Sequence, residues 1–256
     1  MSYTVAAADK ALTILEALAN HPEHGVTELA TLTESTKSQV FRLLYTLEQR
    51  GYVTKNDAKQ YSLGYRCLYI GEQSKQQINI IQLAQPYMDE LTLLSQENVH
   101  LVTREGKNSI CVALSESPQP LRLYARVGRR GPLHAGGGSK VLLAFAPEKV
   151  QQDVLQGGLE KFTEYTTTDP QALKAILSTI QKENFHECFN DLDEGAFSIS
   201  APIKDFRNEV VAALSIAGPT SRLTPEARNG HIVSVKDYAE KLSRALGWPN
   251  YAISSD

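Results

Sequence analysis

Residues 36–53 read TKSQVFRLLYTLEQRGYV, and this segment decides how the N-terminal part of the chain folds. Its apolar side chains recur every three or four positions, which predicts one amphipathic helix that begins near Ser35 or Thr36, where a hydroxyl can cap it. Gly51 suits the left-handed position at which such a helix ends. The apolar positions that we expect to face a core are Val40, Leu43, Leu44 and Leu47.

The segments on either side of this helix complete a known order of elements. Upstream, residues 7–20 show the same helical spacing of apolar side chains, and a short second helix follows with Thr27 as its N-cap. Residues 33–35 form the turn between the second and third helices. Downstream, residues 52–54 and 60–63 predict two strands joined by a polar turn. Three helices followed by a hairpin are typical of a winged helix-turn-helix.

The rest of the chain follows a different pattern. Residues 69–95 predict a helical linker that restarts or kinks at Pro86. Beyond it, strands and helices alternate, which indicates an α+β fold with one antiparallel sheet. We therefore expect a winged helix-turn-helix domain over residues 1–68, the helical linker over 69–95 and a second domain over 96–256. The strands predicted for the second domain are 100–103, 109–114, 121–127, 199–203 and 210–217, and its helices are 138–145, 147–156, 170–184 and 225–246.

The outward face of the third helix carries groups with which helices read DNA. Gln39 can pair with adenine, and Lys37 and Arg42 can reach guanine or phosphate. Residues 1–35 hold one basic and five acidic residues, whereas residues 36–66 hold six basic and two acidic residues, so the positive charge is confined to this helix and the hairpin. The alternative is that these polar side chains form only a solvated helix face and do not contact DNA. The residues predicted to contact DNA are Thr27, Thr36, Lys37, Ser38, Gln39, Arg42, Lys55 and Lys59.

A glycine-rich segment is the most unusual stretch of the second half; residues 126–145 read RVGRRGPLHAGGGSKVLLAF. Neither GxxxxGK[ST] nor GxGxxG fits it, so these two nucleotide-binding loops are excluded. Glycines that lead into a helix still expose backbone N–H groups at the positive end of the helix dipole, where a carboxylate or another small anion binds. The alternative is a tight connection between a strand and a helix that binds nothing.

Three segments in this order make the sequence similar to the IclR family of bacterial transcriptional regulators. Residues 8–63 resemble the family's winged helix-turn-helix, and residues 126–145 resemble its second signature. Residues 200–224, which read SAPIKDFRNEVVAALSIAGPTSRLT, resemble its third. The resemblance implies a C-terminal GAF-like domain that binds a small effector, often a carboxylic acid from a catabolic pathway. It also implies dimers or tetramers on palindromic operator DNA.

The resemblance also implies where the effector binds. Family pockets use the end of the glycine-rich segment, two strand positions and a loop position that is commonly acidic but is Cys188 here. The position of Ser198 is commonly Cys, and a second serine of the late strand is replaced by Ala217, so no relative's ligand can be transferred to this chain. For Leu121 and Leu123 of the predicted strand the alternative is packing in the core, and for His134 the alternative is a structural role. The predicted effector-binding residues are Leu121, Leu123, His134, Gly137, Gly138, Ser139, Cys188, Ser198 and Ser215.

Composition limits the remaining classes of protein. The chain has 256 residues, of which 42% are hydrophobic and 21% are charged, at a formal net charge of −3, which is typical of a globular protein and excludes a strongly basic one. No apolar run of about 18 residues occurs, so we expect no membrane partner. The three cysteines lie far apart, without a CxxC, and predict unpaired thiols in the cytoplasm. Asp191, Asp193 and Glu194 predict a solvated acidic loop.

Catalysis is the main competing interpretation. A small-molecule hydrolase or transferase would use Cys188, His134 or Ser139, but no GxSxG or HExxH motif supports one. We therefore expect no enzyme, no catalytic residue, no cofactor and no metal site. We expect a sequence-specific regulator, repressor or activator, of a catabolic operon, controlled by a small organic acid. A ligand sensor or partner-binding protein without DNA binding is the other alternative.

Overall fold

The computed structural model describes residues 4–77 and 79–249, except for the side chains of residues 74–77. The chain divides into two compact units, an N-terminal unit of residues 1–78 and a C-terminal unit of residues 79–256. The predicted domain limits at residues 1 and 256, and residue 78 of the predicted linker, lie outside the described residues. Each unit is therefore described by itself.

The N-terminal unit contains three helices, a hairpin and a fourth helix. Its elements are α1 (Ala6–Asn20), α2 (Val26–Leu32), α3 (Lys37–Gln49), β1 (Val53–Lys55), β2 (Tyr61–Leu63) and α4 (Tyr65–Gln77). The two strands pair antiparallel, with Val53 opposite Leu63. One core joins the first three helices to the hairpin through buried Ile14, Leu18, Leu29, Val40, Leu44 and Tyr61. The predicted winged helix-turn-helix is confirmed.

The two ends of α3 follow the local signals in the sequence. Thr36 is its N-cap, and the Thr36 Oγ1 atom accepts the backbone N–H of Gln39 at 3.3 Å. At the other end, Gly51 has a φ of +74°, in the region that a side chain disfavours. Its N–H donates to the carbonyl of Glu48 at 2.9 Å, which turns the chain towards β1. The predicted limits of this helix are confirmed to within one or two residues.

The prediction that Thr27 caps α2 is wrong. The helix already begins at Val26, and Gly25 occupies the N-cap position. The Gly25 N–H donates to the Glu28 Oε2 atom at 2.6 Å, so a carboxylate three residues downstream closes the start of the helix. Thr27 lies in the first turn, exposed to solvent.

A six-stranded sheet is the frame of the C-terminal unit, in the order β5-β4-β3-β8-β7-β6. Its strands are β3 (Asn98–Glu105), β4 (Asn108–Ser115), β5 (Arg130–Pro132), β6 (His186–Phe189), β7 (Ala196–Lys204) and β8 (Val210–Pro219). Every neighbouring pair is antiparallel, as predicted. The register places Ser215 between His100 on one side and Ser200 on the other. Polar side chains thus meet at the centre of one face of the sheet.

Helices cover both faces of this sheet. They are α5 (Ile80–Ser95), α6 (Gly137–Ala144), α7 (Glu148–Gln156), α8 (Pro170–Glu183) and α9 (Pro225–Ala245). Leu214 belongs to the core that α5 and α9 form, whereas its neighbour Ala213 belongs to the core of α6, α7 and α8. Consecutive strand residues point to opposite faces, so the two cores lie on opposite sides of the sheet. Within the described residues no helix is long and apolar enough to cross a membrane.

Three local expectations for this unit differ from the structure. Residues 121–127 form no strand; the chain is irregular there, and β5 begins only at Arg130. The edge strand β6 is absent from the sequence prediction because its residues, His-Glu-Cys-Phe, alternate only weakly. Pro86 lies inside α5, and the helical break falls at Asn79, whose side chain caps α5 by accepting the Ile81 N–H at 3.0 Å.

Candidate DNA-reading surface and ligand cavity

The outer face of α3 carries the polar side chains predicted to contact DNA. No acidic residue lies in its first turn, and within the described residues neither Lys37 nor Arg42 has an acidic partner. The Thr36 hydroxyl is occupied as the helix cap, although it retains a proton to donate. Four further side chains of this face are exposed: Lys37, Ser38, Gln39 and Arg42. The structure therefore brings these residues together as one solvent-facing, cationic surface.

The hairpin holds the other two cations of the prediction. Lys55 and Lys59 are both exposed. The Lys55 Nζ atom lies 5.4 Å from the centroid of the Tyr61 ring, which is a cation–π contact. Lys59 adopts a φ of +63° in the turn, and its N–H donates to the carbonyl of Asn56 at 3.0 Å. The wing thus presents two positive charges, one at the end of β1 and one in the turn.

Two aromatic residues on α3 are absent from the sequence prediction. Phe41 and Tyr45 are 54% and 57% exposed, although their neighbours Val40 and Leu44 are buried. They lie four residues apart and therefore one above the other on the helix surface. We call them the α3 aromatic pair. Their positions on the helix follow from the sequence, but the prediction rests on polar side chains and therefore omits these two rings.

A cavity of about 140 Å³ opens between the sheet and the start of α6 in the C-terminal unit. Seven of the nine predicted effector-binding residues line it: Leu123, Gly137, Gly138, Ser139, Cys188, Ser198 and Ser215. Leu121 does not; it is 66% exposed on the irregular segment that replaces the predicted strand. His134 does not either, because it is buried with its Nε2 atom 2.9 Å from the carbonyl of Glu160. Those two residues have structural or surface positions instead.

The first turn of α6 lies against the sheet so closely that only glycine fits. A Cβ on Gly137 would lie 2.5 Å from the Ser198 Oγ atom, and one on Gly138 would lie 2.7 Å from the Ser215 Oγ atom. The Gly137 N–H donates to Ser198 Oγ at 3.1 Å. The next two N–H groups, of Gly138 and Ser139, have no protein acceptor within the described residues. This helix start therefore offers two unused donors to a ligand.

A buried ion pair fixes the loop beside this turn. The Lys140 Nζ atom lies 3.0 Å from Asp191 Oδ2, and both side chains are 3% exposed. The same oxygen accepts the Gly136 N–H at 2.7 Å and the Cys188 Sγ–H at 3.3 Å. Burial acts to raise the pKa of Asp191, but Lys140 and these hydrogen bonds together lower it, so the carboxylate is ionised. The prediction of a solvated loop is therefore wrong for Asp191, which lines the cavity.

The thiol beside this pair is not a nucleophile. Burial, together with the charge and hydrogen bond of Asp191, raises the pKa of Cys188 to about 12, although Lys140 acts in the opposite direction. A neutral thiol of this kind donates a weak hydrogen bond and packs as a small apolar group. Cys111, which also lines the cavity, has its pKa raised by burial as well. The sequence-based interpretation of a catalytic cysteine gains no support here.

Three arginines stand around the cavity. Arg129 pairs with Asp193 at 3.1 Å, and Arg130 pairs with Glu105 at 2.7 Å. Arg126 is exposed, and within the described residues no acidic group pairs with it. Arg126 is therefore the lining arginine that is available to bind an anion.

Two residues that line the cavity each have one polar atom without a partner within the described residues. These atoms are His100 Nε2 and Asp191 Oδ1, both buried. Burial and the nearby charge of Arg129 lower the pKa of His100 to about 4, so its imidazole is neutral near pH 7. A buried polar group without a partner costs about 1–3 kcal/mol. A ligand or water that hydrogen-bonds to these atoms recovers part of that energy.

Comparison with known proteins identifies the family of this chain. The model described as IclR helix-turn-helix domain matches residues 7–57, and the model described as bacterial transcriptional regulator IclR C-terminal matches residues 72–244. The chain belongs to the IclR family. Family membership makes it a DNA-binding transcriptional regulator rather than an enzyme, because the family and its named relatives are regulators.

Named IclR-family relatives are similar over nearly the whole chain. The HTH-type transcriptional regulator KdgR of Escherichia coli K12 is 32% identical over 244 residues, covering 94% of this chain and 93% of that protein. KipR of Bacillus subtilis 168 is 31% identical, with 93% and 96% covered. The HTH-type transcriptional repressor AllR of Escherichia coli K12 is 31% identical, with 87% and 83% covered.

Two solved structures show likeness of fold over nearly the whole chain. The Thermotoga maritima IclR structure is 28% identical, covers 94% of this chain and 98% of its own, and has a TM-score of 0.64. The Pseudomonas aeruginosa HmgR structure is 24% identical, covers 96% and 100%, and has a TM-score of 0.79; it shows likeness of fold alone.

Proposed function

We propose that this IclR-family regulator binds operator DNA through α3 and the hairpin, and that a small organic acid in the C-terminal cavity changes this binding. The observation that supports DNA contact by these residues is the cationic face of α3, where Lys37 and Arg42 lack acidic partners within the described residues. Helix side chains supply base contacts, and cations beside them supply phosphate contacts. Lys55 and Lys59 of the wing add contacts to the backbone of the DNA.

The proposed effector carries a carboxylate. Arg126 and the two unused N–H groups at the start of α6 are the donors that support this assignment. The cavity of about 140 Å³ is small compared with sites for drug-sized molecules, which are roughly 300–1,000 Å³. Hydroxyl groups on the same acid would pair with His100 Nε2 and Asp191 Oδ1. A small hydroxy acid would pair its carboxylate with Arg126 and the helix N–H groups and its hydroxyl groups with His100 and Asp191. An acid without hydroxyl groups would leave His100 Nε2 and Asp191 Oδ1 unpaired.

The proposed regulator acts as a homo-oligomer, a dimer or a dimer of dimers. Exposed large apolar side chains on α4 support an interface between copies: Tyr65, Leu68, Tyr69 and Ile70. A symmetric dimer would bind a palindromic operator with one N-terminal unit on each half-site. An effector that favours one arrangement of the dimer changes DNA affinity by a coupling energy of about 1–3 kcal/mol. Repression, the mode in the name of the relative AllR, is the mode we propose.

The test begins with the effector. Thermal unfolding of the full chain is measured with a panel of small acids that differ only in their hydroxyl groups, each with its uncharged amide as a control. Binding to the native state raises the melting temperature. We expect hydroxy acids to stabilise the protein, their amides not to, and Arg126→Gln to abolish the effect. Arg130→Gln is the matched control, since Arg130 already pairs with Glu105.

DNA binding is tested separately. Duplexes are selected from a random library with the full-length protein, and their affinity is measured by fluorescence anisotropy with and without the stabilising acid. We expect a palindromic sequence whose affinity changes when the acid is added. Selection without enrichment contradicts DNA reading by this chain, and an affinity that no stabilising acid changes contradicts effector control.

A further inference from the structure

The α3 aromatic pair, Phe41 and Tyr45, has a position that polar DNA contacts do not explain. Both rings are more than half exposed on the helix whose face we propose to read DNA. Phe41 is the fifth residue of α3, within its N-terminal half, and Tyr45 follows one turn later. Exposed single apolar residues are ordinary, but two large rings one turn apart on the same ridge, beside cationic side chains, form a shaped surface.

The charges around the pair indicate what covers it. Lys37 precedes Phe41 by four residues and Arg42 follows it by one, and both are exposed without acidic partners within the described residues. An apolar protein surface that covered the rings would bury these charges unpaired, at a high energetic cost. The major groove of DNA offers the complementary combination, because thymine methyl groups lie on its floor between phosphates. The charge pattern therefore favours DNA as the occupant.

The dimensions of the helix agree with this occupant. Four residues along an α-helix advance about 6 Å, whereas successive bases of one strand are about 3.4 Å apart. Phe41 and Tyr45 are thus separated by roughly two base steps. In helix-turn-helix proteins, base edges are contacted from the N-terminal part of the reading helix, which favours Phe41 for the base and Tyr45 for the backbone.

We infer that Phe41 determines part of the operator sequence by packing on the C5-methyl group of a thymine in each half-site, while the Tyr45 hydroxyl donates to a phosphate. The inference rests on the proposed role of α3 in DNA binding. Phenylalanine has no hydrogen-bonding group, so the methyl group is the feature of a base edge that it can read. Removal of one methyl group from such a contact should weaken binding about fourfold, which corresponds to about 0.8 kcal/mol.

Replacement of thymine by uracil in the DNA tests this inference without changing the protein. Uracil removes the methyl group and leaves every hydrogen-bonding atom of the base in place. The duplex selected by the wild-type chain is synthesised with uracil at each thymine position in turn. We expect one position per half-site at which uracil lowers affinity about fourfold.

The protein variants assign that methyl contact to Phe41. Phe41→Ala should bind the thymine duplex more weakly and should lose its discrimination between thymine and uracil at that position. Arg42→Ala should weaken binding but keep the discrimination, because it lacks a cation and not the ring. Val233→Ala is the matched control for loss of an apolar side chain, since Val233 is exposed on α9 in the C-terminal unit. Tyr45→Phe should weaken binding by the same factor on every duplex.

The outcomes separate this inference from the proposed function. If no sequence is enriched, α3 does not read DNA, and the proposed function fails together with the inference. If a sequence is enriched but no uracil substitution changes affinity, or Phe41→Ala still distinguishes thymine from uracil, only the inference is overturned. A Phe41→Ala protein that sediments as a smaller oligomer than the wild type also overturns it, because the ring then contacts a second copy.

Discussion

The buried ion pair between Lys140 and Asp191 gives a quantitative prediction for the C-terminal unit. The Nζ and Oδ2 atoms lie 3.0 Å apart, and both side chains are 3% exposed. At an effective dielectric constant of about 20, two unit charges at this separation attract each other by roughly 5–6 kcal/mol. Lys140→Met removes one charge and leaves the buried carboxylate without its cation. We expect it to lower the free energy of unfolding by about 3–5 kcal/mol.

Urea unfolding followed by tryptophan fluorescence measures this loss. Trp248 is the one tryptophan of the sequence, and its Nε1–H donates to Asn208 Oδ1 at 2.8 Å, so its signal reports on the C-terminal unit. The double variant Lys140→Met, Asp191→Asn should be more stable than the sum of the two single losses predicts, because it leaves no unpaired charge.

An exposed ion pair of the same unit is the control. Lys107 lies 3.6 Å from Asp153, with side chains 60% and 42% exposed. Lys107→Met should change the free energy of unfolding by less than about 1 kcal/mol. If Lys140→Met lowers the free energy of unfolding no more than Lys107→Met does, the buried ion pair does not stabilise this unit. The same conclusion follows if the losses at Lys140 and Asp191 are additive.

Three further predictions concern the cavity and the reading helix. Gly137→Ala places a Cβ 2.5 Å from a serine oxygen and should lower the free energy of unfolding in urea by about 1–3 kcal/mol. Gly230→Ala is the control, because its Cβ meets nothing within 4 Å and should not lower the free energy of unfolding. Equal losses in the two variants would contradict close packing at Gly137. The pKa of His100 is lowered from 6.5 to about 4 by burial and by a nearby arginine, so the unfolded chain takes up this proton first. The stability that neutral His100 contributes is therefore complete above about pH 6.5 and is lost as the pH falls towards 4, by about 2 kcal/mol between about pH 7 and pH 5. His100→Gln should flatten the pH profile of the urea midpoint, and an unchanged profile would show that folding does not lower the pKa of His100. Arg42→Ala should leave the circular dichroism unchanged but reduce the slope of log affinity against log salt by about 0.9 for each phosphate that the arginine neutralises; an unchanged slope would show that Arg42 binds no phosphate.

The reading helix could be predicted because its signals are local. The apolar period of α3, the Thr36 cap and Gly51 all lie within one short segment, so no distant part of the chain is needed to interpret them. The glycine run before α6 is equally local. What the run packs against is not, because Gly137 meets the Ser198 hydroxyl of a strand about sixty positions later. The sequence therefore predicts a close approach there without giving its partner.

The segment 121–127 shows why alternation alone is an insufficient signal for a strand. Its Leu-Arg-Leu pattern is that of a half-buried strand, but no neighbouring strand supplies the hydrogen bonds. Side chains from elsewhere satisfy its backbone instead: Arg222 donates to the carbonyl of Leu121 at 2.9 Å, and Asn98 donates to that of Leu123 at 2.9 Å. Such capture of backbone groups by distant side chains leaves no local trace in the sequence.

Asp191 could not be located from its neighbours in the sequence. Asn190, Asp193 and Glu194 lie close to it in the sequence, which is the composition of a solvated loop. The cause of its burial is Lys140, about fifty positions earlier within an apolar helix. A lysine inside an otherwise apolar run is the one signal that could have been used, because a buried cation requires an anionic partner.

The close packing between the start of α6 and the serines of the sheet also bears on how ligand preference evolves in this protein. Gly137 and Gly138 cannot gain side chains unless β7 and β8 move away, so natural selection is expected to hold that wall of the cavity constant whatever the ligand. The irregular segment from Leu123 to Arg126 lines the same cavity with more exposed side chains. Substitutions at such positions usually change stability little. We therefore expect new ligand preferences to arise through substitutions in the irregular segment, while the two glycines are retained.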